Sequence, residues 1–343
     1  MNPFKYGQVV KNEDFCKREA LSRELLNYVE RGQNVYIQGE RRTGKTSLIF
    51  ETIESLNKHI IIYIDLLEVK SVSDLIKRMV IALLSLERKS GFIEKSFKQL
   101  SHLRPVVSVD PITGLPSMSI DSTTKFTPDS INSVLDLIVA QNSKSKHVVV
   151  VFDEFQDILN IDNAKEALAI LRSKIQFHSN TPYIFAGSVR NKMETIFNDP
   201  DSAFFKSTSP IYVGPLEKGT FKKFLVEKFE SGNRKVSSKF LGGILDICFN
   251  VPGDVQQLCS SIWETTSYGE TIEKNHLLGA IKRIFAHESK GYETCLKIIS
   301  KQQLKLLTTL ARLGGESPTS SEFLLQSGIP QASSIRTALQ RVI

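Results

Sequence analysis

Cysteine is scarce in this chain: Cys16, Cys248, Cys259 and Cys295 are scattered through 343 residues with no C-x-x-C pair. That spacing argues against a disulfide scaffold and against a cysteine-ligated metal. Long hydrophobic runs are missing too. No uninterrupted apolar stretch approaches the roughly 18 residues of a membrane span, so no transmembrane helix is expected. Met1-Asn2-Pro3-Phe4-Lys5-Tyr6-Gly7 lacks the apolar core of a signal peptide, and the expected compartment is cytoplasmic. Basic residues exceed acidic ones by 44 to 37, a net +7, but form no long tract. Nucleic acid or another polyanion is one reading of that charge, and a diffuse solubilising charge is the other. The remaining composition, 41% hydrophobic and 24% charged, is that of a globular protein long enough for two or three domains.

What the sequence does contain is the stretch Asn34-Val35-Tyr36-Ile37-Gln38-Gly39-Glu40-Arg41-Arg42-Thr43-Gly44-Lys45-Thr46-Ser47. A short β-prone run leads into G-x-x-x-x-G-K-[ST], and a helical pattern follows, which is the context a phosphate-binding P-loop requires. Gly39 and Gly44 let the backbone curl so that successive N–H groups of residues 39–47 converge on phosphate oxygens. The N-terminus of the following helix adds its positive dipole end. Lys45 is expected to reach the β- and γ-phosphates of a bound nucleotide, and Thr46 to ligate Mg²⁺.

About a hundred residues further on, His147-Val148-Val149-Val150-Val151-Phe152 is an apolar strand closed by Asp153-Glu154, a Walker B pattern. Asp153 is expected to hold Mg²⁺ through its water shell, and Glu154 to act as general base on the attacking water. Asp157, one turn on, is a weaker base candidate and reads better as a surface or helix-entry residue. A later strand, Thr181 to Gly187, ends in Ser188. Its hydroxyl could orient that water, or simply cap the next helix. Five strands are expected, at Val35, Ile61, Val148, Ile184 and Ile211, alternating with helices. The expected fold class is therefore α/β, a parallel αβα P-loop sandwich over residues 1–216. Pro105–Ile120 breaks the helical rhythm and reads as a hairpin within an insertion at about 102–127, either a partner contact or a surface decoration.

Residues 217–289 turn helical and are expected to form a lid over the nucleotide. Residues 290–343 carry three short helical patterns separated by Gly/Pro turns, a helix-turn-helix rhythm. The third pattern offers Ser333, Ser334, Arg336, Thr337, Gln340 and Arg341, side chains able to contact base edges or phosphates. Protein binding or intramolecular packing are the alternatives. The chain stops where the β-wing of a winged helix would begin, so that module reads as incomplete.

With these pieces in order, the chain resembles the archaeal-type ATPases on the AAA+/STAND side of the P-loop ATPases, and is similar to origin-recognition initiators. The matching residues are Phe15–Glu19, the P-loop, Asp153-Glu154, Gly187-Ser188 and Val251-Pro252-Gly253-Asp254. The resemblance implies ATP and ADP binding, Mg²⁺, hydrolysis coupled to lid movement or assembly, and a homo-oligomer as one form of that assembly. Phe15–Glu19 would border the adenine, although Arg18 and Glu19 could equally form a structural pair. Ser188 would be the sensor 1 residue. Two departures stand out. Origin-type relatives place an arginine just after the lid's Gly-Asp, where this chain has Val255-Gln256-Gln257. The region that often supplies an arginine finger offers Lys206, with Arg190 earlier, and a lysine lacks the bidentate fork. The expected function is an Mg-dependent ATPase switch that engages DNA or a protein through residues 290–343. A nucleotide-binding scaffold with little turnover is the alternative, and the lid and terminal module argue against a metabolic kinase.

Overall fold

The computed structural model describes residues 1–54, 59–90, 105–109, 116–120, 128–143, 145–188 and 190–340. They form two compact units, Met1–Ile272 and Glu273–Ile343.

The first unit opens with helix α1 (Glu19–Glu30), strand β1 (Val35–Gln38) and helix α2 (Lys45–Glu54), followed by β2 (His59–Asp65) and α3 (Val72–Ser90). Next come β3 (Pro105–Val109), β4 (Pro116–Ile120), α4 (Pro128–Val139), β5 (His147–Asp153), α5 (Ala164–Ile175), β6 (Tyr183–Gly187), α6 (Arg190–Phe197) and β7 (Ser209–Tyr212). Five strands make one sheet in the order β2-β5-β6-β1-β7, and every pairing is parallel. All five expected strands are in it. β3 and β4 pair antiparallel with Pro105 opposite Ile120, as expected of the hairpin, whose connecting residues 110–115 lie outside the described ones.

The continuous apolar runs have a simple cause: both faces of the sheet are covered. Successive side chains of a strand point to opposite faces. Along β5, Val149 and Val151 join Leu25 and Val29 of α1 and Leu48, Ile49 and Ile53 of α2 in one core layer. Val148, Val150 and Phe152 face the other way, into a layer with Leu75 and Met79 of α3, Ile131 and Leu135 of α4, and Leu168 and Leu171 of α5. The second layer carries an aromatic stack in which the Phe152 and Phe185 rings lie 5.8 Å apart and parallel, with Phe155 4.6 Å from Phe185. Each such pair adds about 0.5–1.5 kcal/mol beyond burial.

The strand order places the site. The chain leaves β1 for the far edge at β2, returns through β5 and β6, and then crosses to β7 on the other side of β1. The loop after β1 therefore opens at a topological switch point, where α/β sheets bind their ligands.

Helices α7 (Lys218–Glu230), α8 (Ser238–Ile247) and α9 (Pro252–Glu264) complete this unit. Glu217 caps α7 by accepting from Gly219 N (2.7 Å) and Thr220 N (2.5 Å), which holds its carboxyl down at about 2. Ser237 caps α8 by accepting from Phe240 N. Phe4 at the chain start packs on this helical group, 4.5 Å from the Phe229 ring and 6.1 Å from Trp263.

The second unit holds α10 (Lys274–Ile298), α11 (Lys301–Leu313), α12 (Ser321–Ser327) and α13 (Ala332–Gln340). Its core is Leu306, Phe323, Ile329, Ile335 and Ala338. Ser300 and Gln303 box the start of α11, Ser320 caps α12, and Gly328, at φ +61°, ends α12 in the left-handed conformation that glycine adopts without strain. These turns give the helix-turn-helix rhythm. α10 runs unbroken past residue 289, through Gly291, to Ile298. No helix of the described residues is long and apolar enough to cross a membrane.

Candidate active site

The loop between β1 and α2 is built by close approaches. A Cβ at Gly39 would lie 2.3 Å from Val213 O and 3.2 Å from Thr43 Oγ1, so only glycine fits where the loop passes the end of β7. Gly44 has φ +88° and Arg42 φ +65°; both turn the chain so that α2 starts at Lys45. Thr43 Oγ1 donates to Glu40 O at 2.8 Å and closes the curl from within. Lys45 is 6% exposed, and its ammonium donates to Gly39 O (2.9 Å) and Glu40 O (3.1 Å). Burial lowers its pKa, countered by the charges of Glu154, Asp153 and Glu40.

The carboxylate of Asp153 at the end of β5 meets this loop directly. Thr46 Oγ1 donates to Asp153 Oδ2 at 2.7 Å, joining residues more than a hundred positions apart at the ends of adjoining elements. Tyr63 OH donates to the same oxygen at 2.7 Å, and Glu154 N donates to Oδ1 at 3.0 Å. Burial first, and then the Asp153 charge, raise the Tyr63 pKa, so the phenol stays a donor.

Glu154 adopts the left-handed conformation, φ 48° and ψ 41°, which turns the chain sharply off β5. Its Oε2 accepts from Ser188 Oγ at 2.7 Å and from Gln156 Nε2 at 2.6 Å. Gln156 is 1% exposed and sits against Gly187, where an added Cβ would lie 2.5 Å from its Oε1. The structure thus brings Ser188 to Glu154. Asp157 goes elsewhere: its Oδ2 accepts from Glu68 N at 2.8 Å and ties down the turn after β2.

A cavity of about 520 Å³ lies over the loop, the size of a small-molecule site. Its walls include Arg41–Ser47, Tyr63 and Glu154, and also the apolar side chains of Val9, Val10, Phe15, Leu216, Phe221 and Pro252. Lys5–Val10 pass along it as a strap, fixed by Phe4 at one end and at the other by Val10 N donating to Ser47 Oγ at 3.1 Å. Arg18 does not pair with Glu19. Its guanidinium donates to Thr43 O (2.9 Å), Gly214 O (2.8 Å) and Pro215 O (3.4 Å), tying the loop to the exit from β7. Cys16 beside it has its thiol pushed up to about 11 by burial. Helix α9 docks on the loop as well: Gly253 N donates to Arg42 O at 3.0 Å, and Arg42 Nη1 donates to Asp254 Oδ1 at 2.5 Å and Gln257 Oε1 at 3.3 Å. A Cβ at Gly253 would lie 2.8 Å from Arg42 Cβ, so glycine is what admits this approach.

A family profile described as "ATPase domain predominantly from Archaea" matches residues 15–240. The chain belongs to this family. It is a P-loop ATPase. Among solved structures it is similar to a Walker-type ATPase of Pyrococcus abyssi, at 19% identity and TM-score 0.65 over 99% of this chain and 93% of that one. It is also similar to the Aeropyrum pernix ORC1 protein in complex with DNA, at 11% identity and TM-score 0.56 over 96% and 84% of the two chains. The ADP form of the Aeropyrum pernix ORC2 protein matches at 14% identity and TM-score 0.52 over 94% and 83%. At these identities the likenesses establish a shared fold. No functionally curated protein matches the sequence.

Sequence reasoning missed Tyr63, Gln156, the strap of residues 5–10 and the docking of Arg42 on Asp254. A tyrosine two residues before the end of an apolar strand, and a glutamine two residues after a Walker B pair, are visible as oddities. The partners of Tyr63 and Arg42 lie dozens of residues away or more, and Gln156 is held against Gly187 across the fold, so no local pattern encodes these contacts.

Proposed function

We propose that the cavity binds ATP with its phosphates on residues 39–47, and that hydrolysis there switches how the protein presents its second unit to a partner. The observation that carries this reading is the 2.7 Å bond from Thr46 to Asp153. It brings a hydroxyl and a carboxylate, both hard oxygen donors, to one point beside the loop, a donor set that fits Mg²⁺ together with phosphate oxygens and water. Such an ion, when bound, neutralises charge on the transferring phosphoryl group. The chain supplies the rest. The backbone N–H groups of Gly39, Glu40, Arg41, Arg42, Thr43, Gly44 and Ser47 cradle the phosphates. Lys45 leaves the carbonyls of Gly39 and Glu40 for the β- and γ-phosphates. Glu154 takes the proton of the attacking water, and Ser188 and Gln156 hold the carboxylate in place for that step.

We read residues 1–216 as the catalytic core, the helices from 217 as its lid and the helix-turn-helix beyond about 290 as the partner-binding module. Ser333, Arg336, Thr337 and Gln340 are exposed on α13, as a helix that reads a DNA groove requires. The Aeropyrum pernix ORC1 protein was solved in complex with DNA, and duplex DNA is the partner this reading favours. ATP turnover by the wild type, abolished in Glu154→Gln while ATP is still bound, supports the switch. Wild-type turnover no greater than that of Glu154→Gln, with and without DNA, would replace it with a nucleotide-held scaffold. Salt-dependent duplex binding weakened by Arg336→Ala supports DNA; no binding at low salt turns the module towards a protein partner.

A further inference from the structure

Helix α9 carries one residue that the mechanism above does not use. Gln256 is 7% exposed, lies on the cavity wall, and follows Gly253 by one turn on the face that meets the phosphate loop. Its Oε1 is buried and has no hydrogen-bond partner. Among the described residues it is the only such orphaned side-chain atom on the cavity wall. A buried amide oxygen left unpaired is costly, so a ligand that pairs it recovers that cost on binding. The same cavity has apolar side chains in Phe15, Leu216, Phe221 and Pro252, against which a flat ring can lie.

From this placement, and resting on the reading of the cavity as an ATP site, we infer that Gln256 selects the base by pairing its amide with the 6-amino group and N7 of adenine. An amide presents one acceptor and one donor in a plane, and adenine presents N6–H and N7 at the matching spacing, the pairing by which Gln and Asn read adenine elsewhere. Guanine and hypoxanthine carry an oxygen at position 6, which sets acceptor against acceptor. A phosphate oxygen is also an acceptor and cannot satisfy Oε1, and the apolar wall is where a flat base rather than a phosphate chain is desolvated. An arginine at the same point would offer donors only and would favour phosphate. The neutral amide changes what this part of the lid reads, from the charge of the nucleotide to the identity of its base.

The test is equilibrium binding of ATP, inosine triphosphate, 7-deaza-ATP, 2′-deoxy-ATP and ADP to the full chain, wild type against Gln256→Met, which keeps length and volume but removes both polar atoms. The expected result is a wild-type preference for ATP over inosine triphosphate of about tenfold, the factor that corresponds to one hydrogen bond of about 1.4 kcal/mol. In Gln256→Met that preference collapses to near unity, through weaker ATP binding with inosine triphosphate unchanged. 7-Deaza-ATP should fall between the two in the wild type. Equal losses of ATP and inosine triphosphate would overturn the inference. So would a loss for 2′-deoxy-ATP matching that for inosine triphosphate in the wild type, which points to the ribose, or an ATP-over-ADP preference that disappears in the variant, which points to the γ-phosphate. Should Gln256→Met bind no nucleotide at all, Gln256→Glu decides. It keeps the acceptor, so it should still prefer ATP over inosine triphosphate while no longer distinguishing ATP from 7-deaza-ATP; any other pattern overturns the assignment. Failure of the underlying ATP reading looks different, because then no nucleotide binds the wild type and Lys45→Ala changes nothing.

Discussion

The two units of this chain bury their side chains by different means. In Met1–Ile272 a five-stranded parallel sheet is covered on both faces, and its larger core layer joins four helices to an aromatic stack of Phe152, Phe155, Phe185, Phe197 and Phe204. In Glu273–Ile343 three short helices close over five buried side chains, and most of α10 is exposed. Hydrophobic burial scales with area, so the first unit can afford strained and polar features at its site. Glu154 in the left-handed region, a buried Lys45 and an orphaned Gln256 amide all sit there. The second unit has no such reserve. Its short helices are held by caps and by a single aromatic, Phe323. This contrast fits the proposed division, in which chemistry belongs to the strand ends of the sheet and recognition to a small module with an exposed polar helix.

Four perturbations would sharpen or break that contrast. The largest effect is expected from Lys45→Ala, which removes the one ammonium on the phosphate loop. ATP turnover should fall by roughly 10²–10³-fold, the scale of losing one charge-stabilising donor, and the thermal shift with MgATP should vanish from the first unit alone. Calorimetry and a phosphate-release assay check both. Phe323→Ala comes next. Truncating a buried phenylalanine costs about 3–5 kcal/mol, enough to unfold the second unit, while the first keeps its own transition and its basal ATPase rate. Loss of nucleotide binding in that variant would show that the two cores are not independent.

Gly187→Ala is a smaller change. Its methyl group would meet Met193 Sδ at 2.4 Å and Gln156 Oε1 at 2.5 Å. Overpacking costs about 1–3 kcal/mol, and displaced Gln156 releases Glu154, so kcat should drop with KM little changed in steady-state kinetics. The smallest effect is expected with pH. Burial pushes the Cys16 and Cys248 thiols from the ordinary 9.0 to about 11, whereas Cys295 in the second unit is exposed. From pH 9.0 upwards the unfolded chain sheds these protons before the folded one does. Stability of the first unit is therefore fully present below pH 9.0 and is lost as pH rises towards about 11. Melting curves between those values should shift down for the first unit, and less so in Cys16→Ala. At pH 8, Cys295 should react with a thiol reagent ahead of the buried Cys259.

Much of the site was legible in advance, for a local reason. A phosphate loop works through backbone N–H groups, here with a close approach at Gly39 and a positive φ at Gly44, so Gly39, Gly44 and Lys45 must fall at a set spacing within one turn of chain, and sequence displays that spacing. Asp153-Glu154 closes an apolar run because a strand buried on both faces must end in polar residues where it reaches solvent. For Asp157 the sequence favoured a surface or helix-entry role over that of base, and for Arg18 it left a pair with Glu19 open, since a carboxylate one turn past Asp153-Glu154, or an arginine before a helix, can reach several partners. Asp157 serves the Glu68 turn, and Arg18 serves the carbonyls of Thr43 and Gly214.

The sequence by itself determined the five parallel strands, the phosphate loop and its carboxylate partner, because continuous apolar runs and glycine spacing are properties of contiguous residues. Tertiary structure alone decided the company those residues keep. Tyr63 and Thr46 share one oxygen of Asp153, Ser188 and Gln156 share one oxygen of Glu154, Arg42 clasps Asp254, and Gln256 waits unpaired on the cavity wall. Each of these depends on how strands and helices far apart in the chain are brought to one end of the sheet, and side-chain hydrogen bonds are short and directional enough that only the folded geometry selects them.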